Sequence, residues 1–197
     1  MVQHVQPPVV VLAIPRGGVI VGARVADRLG APLDVVVPRK IGAPGNPELA
    51  IGAVAEGVEA IDREAVARLR LDLAQVRAEA ARQLAEVARR TELYRRGRPP
   101  LELAAKTAVL VDDGIATGWT VIAAARRCRL AGAAWVVAAV PVGPRGLQRR
   151  LGDAVDEVIV LLTPDPYLAV GQAYASFPQV SDEEVVGCLE GREHPGR

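Results

Sequence analysis

Six short apolar runs constrain this chain more tightly than anything else in it. They are VVVLAI (9–14), LDVVVP (33–38), LAIGAVAE (49–56), AVLVD (108–112), WVVAAVPV (135–142) and EVIVLLT (157–163). They run almost unbroken instead of alternating apolar with polar. That is the pattern of strands buried on both faces, which parallel sheets require. Between several of them lie stretches with helical texture: VIVGARVADRLG, closed by Gly30, then VIAAARRCRLAGA and GLQRRLG. A glycine just past the last helical residue is a common stop. Strands alternating with helices predict an α/β fold, a parallel sheet flanked by helices.

One segment departs from this rhythm. From about 62 to 98 the chain is rich in Ala, Arg, Glu and Leu, and Leu73, Val76, Ala80, Leu84, Val87, Thr91 and Tyr94 recur at intervals of three and four. This predicts one long amphipathic helix, ended by Pro99 and Pro100. The expected organisation is a single domain over 1–197. Its core spans about 9–57 and 104–164, with a helical insert at about 58–103 and a C-terminal tail at 165–197. The insert is expected either to form a hood over the site or to meet a second copy of the chain in a homodimer. RKIGAPGNPE (39–48) reads as a loop.

Composition excludes several classes of function. The net charge is +1, so no global field draws the chain to nucleic acid or to an acidic membrane. No apolar run approaches the roughly 18 residues of a membrane span, and the first residues lack the basic start of a signal peptide. Cys128 and Cys188 stand far apart with no ligand-like spacing, which fits neither a zinc site nor a disulfide framework. A reducing, cytoplasmic setting is the expectation. The two histidines, His4 and His194, sit near the chain ends, so a histidine base in the core is not expected.

Two strand ends carry chemistry. In open α/β sheets, ligands sit beyond the carboxyl ends of strands. The run AVLVD is followed by Asp113 and then Gly114, Ile115, Ala116, Thr117, Gly118, Trp119 and Thr120. Asp112 and Asp113 offer acceptors for the vicinal hydroxyls of a sugar. Their alternation along a strand predicts that they point to opposite sides and avoid contact. The following turn offers backbone N–H groups at a helix start, with the Thr117 and Thr120 hydroxyls, for a phosphate. The other strand end is PRGG (15–18). Gly17 and Gly18 let the backbone approach an anion closely, and Arg16 supplies matched donors. A tight turn with a solvated arginine is the competing reading there. No GxxxxGK[ST] phosphate loop occurs, and Gly17, Gly18 and Gly22 miss the GxGxxG spacing of a dinucleotide fold.

The segment VLVDDGIATGWT resembles the fingerprint of the type I phosphoribosyltransferases: a hydrophobic strand, two acids, and a Thr/Gly turn ending in Thr or Ser. The likeness extends to PRGG, where that family binds pyrophosphate, and to VPRKIGAPGNPELAIG, similar to the basic strand end and loop of adenine-type members. The resemblance covers about 9–164. It implies a transferase of the pentosyltransferase class, using phosphoribosyl pyrophosphate and Mg²⁺ to pass phosphoribose to a nucleobase-like acceptor with release of pyrophosphate. Asp112, Asp113, Arg39 and Lys40 would carry catalysis. Arg16, Gly17, Gly18, residues 114–120 and Tyr167 would bind substrate. No side chain is expected to ligate the metal directly, although Asp112 and Asp113 can reach it through water. Glu48 is a candidate proton acceptor. The loop at 42–48 either closes over the site or is a plain surface turn.

Further expectations come from the same likeness. The Pro15–Arg16 bond is expected to be cis. TPDPYLAVGQAYASF (163–177) resembles the tail of the 6-oxopurine salvage enzymes, which places Tyr167 against the base. Alternatively, Tyr167, Tyr174 and Phe177 pin the tail to the core. The chain departs from the type I fingerprint at Ala116, where a Thr is common, and at Trp119, where a Gly is common. It also lacks both a lysine in EVIVLLTP and an acid near Gly171, which speaks against a standard hypoxanthine or guanine enzyme. A second class of function is a non-catalytic regulator that binds phosphoribosyl pyrophosphate or nucleotides. For it, Arg89, Arg90, Arg95, Arg96 and Arg98 would form a basic face, although cations at a helix C-terminus are ordinary.

Overall fold

The computed structural model describes residues 7–191; His4 and His194 lie outside the described residues. Its main sheet has five parallel strands: β1 (Val9–Ala13), β2 (Leu33–Val35), β6 (Thr107–Val111), β7 (Trp135–Val142) and β8 (Glu157–Leu162). They lie in the order β2-β1-β6-β7-β8. β1 and β6 run side by side near the centre, paired from Val9↔Thr107 to Ala13↔Val111. The apolar runs are continuous because both faces are covered. Val10, Leu12, Ala108 and Leu110 pack on α4 (Trp119–Leu130). Val11, Ala13, Val109 and Val111 pack on α1 (Gly17–Leu29) and α6 (Asp182–Glu190). Burial inside α4 pushes the Cys128 thiol up to about 12.

A second sheet stands beside the first. β3 (Arg39–Ala43), β4 (Asn46–Ala55) and β5 (Val58–Ile61) are antiparallel, in the order β3-β4-β5. This corrects two sequence expectations. LAIGAVAE is not a strand of the parallel sheet, and RKIGAPGNPE is not an irregular loop. β3 and the start of β4 form a hairpin around Pro44 and Gly45, with Gly45 at φ 78°. Gly/Pro composition masks this hairpin. What makes it a sheet is the burial of Ile41, Ala43, Ile51 and Val54 under one helix face. β5 follows the two-residue turn Glu56–Gly57, where Gly57 has φ 72°; turns of that length with glycine favour hairpins.

The predicted long helix is two helices, α2 (Arg63–Arg68) and α3 (Leu73–Arg95). Arg70 takes a left-handed φ of 51° between them. Asp72 then starts α3 as its cap, accepting from Ala74 N at 2.8 Å. A short acid capping a free N–H favours a new helix start over a continuous one. Val76, Ala80 and Val87 of α3 pack on the antiparallel sheet, whereas Leu73 is exposed. At its far end Tyr94 is fully buried and donates to Asp182 Oδ1 of α6 at 2.6 Å. Arg95 reaches the buried Asp34 of β2 at 3.2 Å and the Val35 carbonyl at 3.0 Å. α5 (Leu147–Leu151) and a 3-10 turn link β7 to β8. The tail contains α6, whose Ser181/Glu184 capping box was a readable start signal.

Among the described residues, no helix is long and apolar enough to cross a membrane.

Candidate active site

Because β1 and β6 end in register, the turns that follow them meet. After β1 the chain passes through Pro15 and Arg16 across a cis peptide bond, as expected from the sequence. α1 begins at Gly17, directly against the acids after β6. A Cβ on Gly17 would stand 1.8 Å from Asp113 Oδ2; one on Gly18 would stand 2.7 Å from the Val111 carbonyl and 2.8 Å from Asp112 Cα. At Gly18 the obstacle is backbone, which admits no side chain, whereas a side chain at Gly17 would have to push the Asp113 carboxylate aside, so both glycines serve close approach.

β6 stops at Val111, so Asp112 and Asp113 follow the strand instead of belonging to it. Strand alternation does not separate them, contrary to the sequence expectation. The Asp113 N–H donates to Asp112 Oδ1 at 2.9 Å. Loss of water pushes the Asp112 carboxyl well above the usual carboxylate range. The neighbouring Asp113 charge pushes it further, and Lys40 opposes. Burial also raises Asp113, partly offset by hydrogen bonds from Asp112 and the Gly114 N–H.

The turn at 114–118 is held from behind. The Tyr174 hydroxyl donates to the Asp113 carbonyl at 2.5 Å, the Tyr167 hydroxyl to the Ile115 carbonyl at 2.8 Å, and Arg150 Nη1 to the Ala116 carbonyl at 2.7 Å. Ile115 N donates to Val142 O at 3.0 Å. Gly118, at φ 89°, is the N-cap of α4.

These parts border a cavity of about 1080 Å³. Of the residues singled out by sequence, Arg16, Gly17, Arg39, Lys40, Glu48, Asp112, Asp113, Gly114, Ala116, Thr117, Gly118 and Thr120 line it. Four do not. Gly18 and Ile115 are buried beneath the wall. Trp119 packs against the core cluster around α4. Tyr167 is tied to the turn as described. The tail contributes Val170 and Phe177 to the wall instead, with Phe177 against Tyr174 at 4.9 Å between ring centres.

Of the two roles the sequence offered for the insert, the cavity lining favours the hood, although none of its lining residues was singled out. Gln75, Ala78, Glu79, Arg82 and Gln83 of α3 face the cavity, which makes the insert a hood. The signal was present: these positions recur at three and four, beside the apolar stripe. Gln83 accepts from Arg39 Nε at 3.1 Å and donates to Glu79 at 2.8 Å. The Gln83 bond, aided by Arg82, holds the Glu79 carboxyl below its ordinary range. The tip of the β3–β4 hairpin, including Pro44, Gly45 and Pro47, supplies another wall.

Among the described residues, no group of three or more His, Cys, Asp or Glu has metal-site geometry. Two carboxylates beside a cavity also lined by Arg16, Arg39 and Lys40 do suit Mg²⁺, which commonly takes one or two carboxylates plus substrate phosphate oxygens. The basic cluster of α3 is engaged internally. Arg89 and Arg90 pair with Glu86, Arg95 with Asp34, and Arg96 with Glu190, while Arg98 donates to the Leu189 carbonyl.

Comparison with known proteins places this geometry in context. The family profile described as a phosphoribosyl transferase domain matches residues 3–161. A protein of Mycobacterium tuberculosis strain H37Rv, named "Putative phosphoribosyl transferase Rv0571c", is 50% identical over 183 residues. That match covers 92% of this chain and 41% of the relative; an equal match occurs in strain CDC 1551. The chain thus spans about two fifths of the length of these curated relatives. The crystal structure of TT1426 from Thermus thermophilus is 44% identical, with a TM-score of 0.77, covering 94% of this chain and 88% of that one.

Proposed function

The chain belongs to the phosphoribosyl transferase family, and on that premise we propose that it transfers phosphoribose from phosphoribosyl pyrophosphate to a nucleobase-like acceptor, releasing pyrophosphate. One observation carries the reading. Gly17 lies against the Asp113 carboxylate and Gly18 against the backbone at Asp112, so the two turns flank one acid pair at the wall of one cavity.

In this reading the turn at 114–120 takes the 5′-phosphate on backbone N–H groups and the Thr117 and Thr120 hydroxyls. Asp112 and Asp113 accept from the ribose 2- and 3-hydroxyls. The Pro15–Gly18 turn, with Arg16, Arg39 and Lys40, receives the pyrophosphate. The bond from the anomeric carbon to the pyrophosphate oxygen breaks, and its electron pair leaves with pyrophosphate. The acceptor's lone pair forms the new bond, and Glu48, on the cavity wall, would take the acceptor's proton. Charge on the sugar ring rises as the bond breaks, and the ionised acid pair favours it. Mg²⁺, when bound through substrate oxygens and Asp112 or Asp113, would neutralise the leaving group. The hood of α3 and the ring of Phe177 would meet the acceptor. Free Cys128 and Cys188 agree with a cytoplasmic setting.

The test is calorimetric titration of phosphoribosyl pyrophosphate with Mg²⁺ into wild type and Asp112→Asn/Asp113→Asn. Binding by wild type that is lost in the variant is expected. Equal binding by both would remove the acid pair from the site. A pyrophosphate-release screen over nucleobases then separates a transferase from a sensor, since a sensor binds and turns nothing over.

A further inference from the structure

The three hydrogen bonds behind the turn form a pattern. Carbonyls of Asp113, Ile115 and Ala116 each accept from a side chain of the C-terminal third of the chain: Tyr174, Tyr167 and Arg150. In a trans peptide the carbonyl and the following N–H point to opposite sides. Anchoring these three carbonyls outward therefore turns the N–H groups of Gly114, Ala116 and Thr117 toward the cavity. The intervening peptide is turned the other way, and its Ile115 N–H is spent on Val142 O.

We propose that Tyr167, Tyr174 and Arg150 are positioning residues that set the donor array for the 5′-phosphate without touching it. This rests on the transferase reading. The reason such a clamp is needed lies in the turn itself. Ala116 brings no side-chain donor, Ala116 and Thr117 are exposed, and a short Gly-containing turn has many alternative peptide orientations. Preorganising the donors removes an ordering cost that binding would otherwise bear. Tyr167 and Tyr174 also carry tail residues to the site, so Val170 meets Gly114 and Phe177 reaches the wall.

The experiment compares two probes, ribose 5-phosphate and pyrophosphate, titrated calorimetrically with Mg²⁺. The variants are Tyr167→Phe/Tyr174→Phe, which keeps both rings, and Arg150→Met, which keeps the stem. Ribose 5-phosphate affinity is expected to fall about tenfold in each, while pyrophosphate affinity stays within about twofold. Arg150 is exposed, so its variant carries the test alone if the tyrosine variant fails to fold. Unchanged ribose 5-phosphate binding overturns the proposal. So does a parallel loss of both probes, which marks a merely structural role. A wild type that binds neither ribose 5-phosphate nor phosphoribosyl pyrophosphate refutes the transferase reading and this inference with it, and that result is visible before any variant is made.

Discussion

Burial holds the carboxyls of Asp112 and Asp113 above the ordinary carboxylate range, and the neighbouring Asp113 charge adds to the rise at Asp112. Their raised pKa values have a sign that can be followed. The folded chain holds a proton at a pH where the unfolded chain has released it. The stability this contributes is complete below the unfolded carboxylate value of about 3.9 and is lost as pH rises through the raised folded value. Asp112→Asn removes both the desolvated charge and the repulsion. It should raise the melting temperature at neutral pH, read by scanning calorimetry, while weakening phosphoribosyl pyrophosphate about 10- to 100-fold through a lost charged acceptor. Wild-type affinity should rise with pH across the same interval, because ionised acids accept more strongly from ribose hydroxyls than protonated ones; titration in a pH series reads this out. Gly17→Ala tests the contact itself. Its methyl would stand 1.8 Å from Asp113 Oδ2 and push that carboxylate aside, so the variant should bind ligand more weakly and lose about 1 kcal/mol of stability to overpacking. Binding equal to wild type would mean that the two turns are not locked together.

Among the elements, α3 joins packing to function. Its apolar stripe, legible as a period of three to four, covers the antiparallel sheet, and the polar positions beside that stripe face the cavity. Its C-terminus is fixed by Arg95 on Asp34, with side chains only 13% and 10% exposed. Removing one member of such a pair leaves the other buried without its counter-charge. Arg95→Ala is therefore expected to cost about 3–5 kcal/mol, seen as a lower urea midpoint with an unchanged slope. Arg95→Lys should recover only part of it, since one ammonium cannot reproduce the guanidinium's bonds to both Asp34 and the Val35 carbonyl. The stop between α2 and α3 was readable in Asp72 as a cap, as was the start of α6 in Ser181 and Glu184. The β3–β4 hairpin was not, because Gly and Pro dominate its composition and its apolar side chains form a face only against α3.

At the scale of the molecule, the proposed ligand binds where two sheets, a hood and a tail converge. A ligand that binds only the folded chain stabilises it by about 2.7 kcal/mol at a hundred times its dissociation constant. Phosphoribosyl pyrophosphate with Mg²⁺ should thus raise the melting temperature, and chelating the metal should abolish most of the rise. A thermal shift unaltered by chelation would take Mg²⁺ out of the complex.

The local chain determined the parallel sheet, both strand-end turns and the acid pair. Each is a contiguous stretch whose burial pattern or glycine content is set by its own residues. Tertiary structure decided the rest: that the Pro15–Gly18 turn lies against the acids, that Tyr167 grips a carbonyl while Phe177 takes the wall, and that α3 roofs the cavity. Each of those facts joins residues whose distances are fixed only when the core packs.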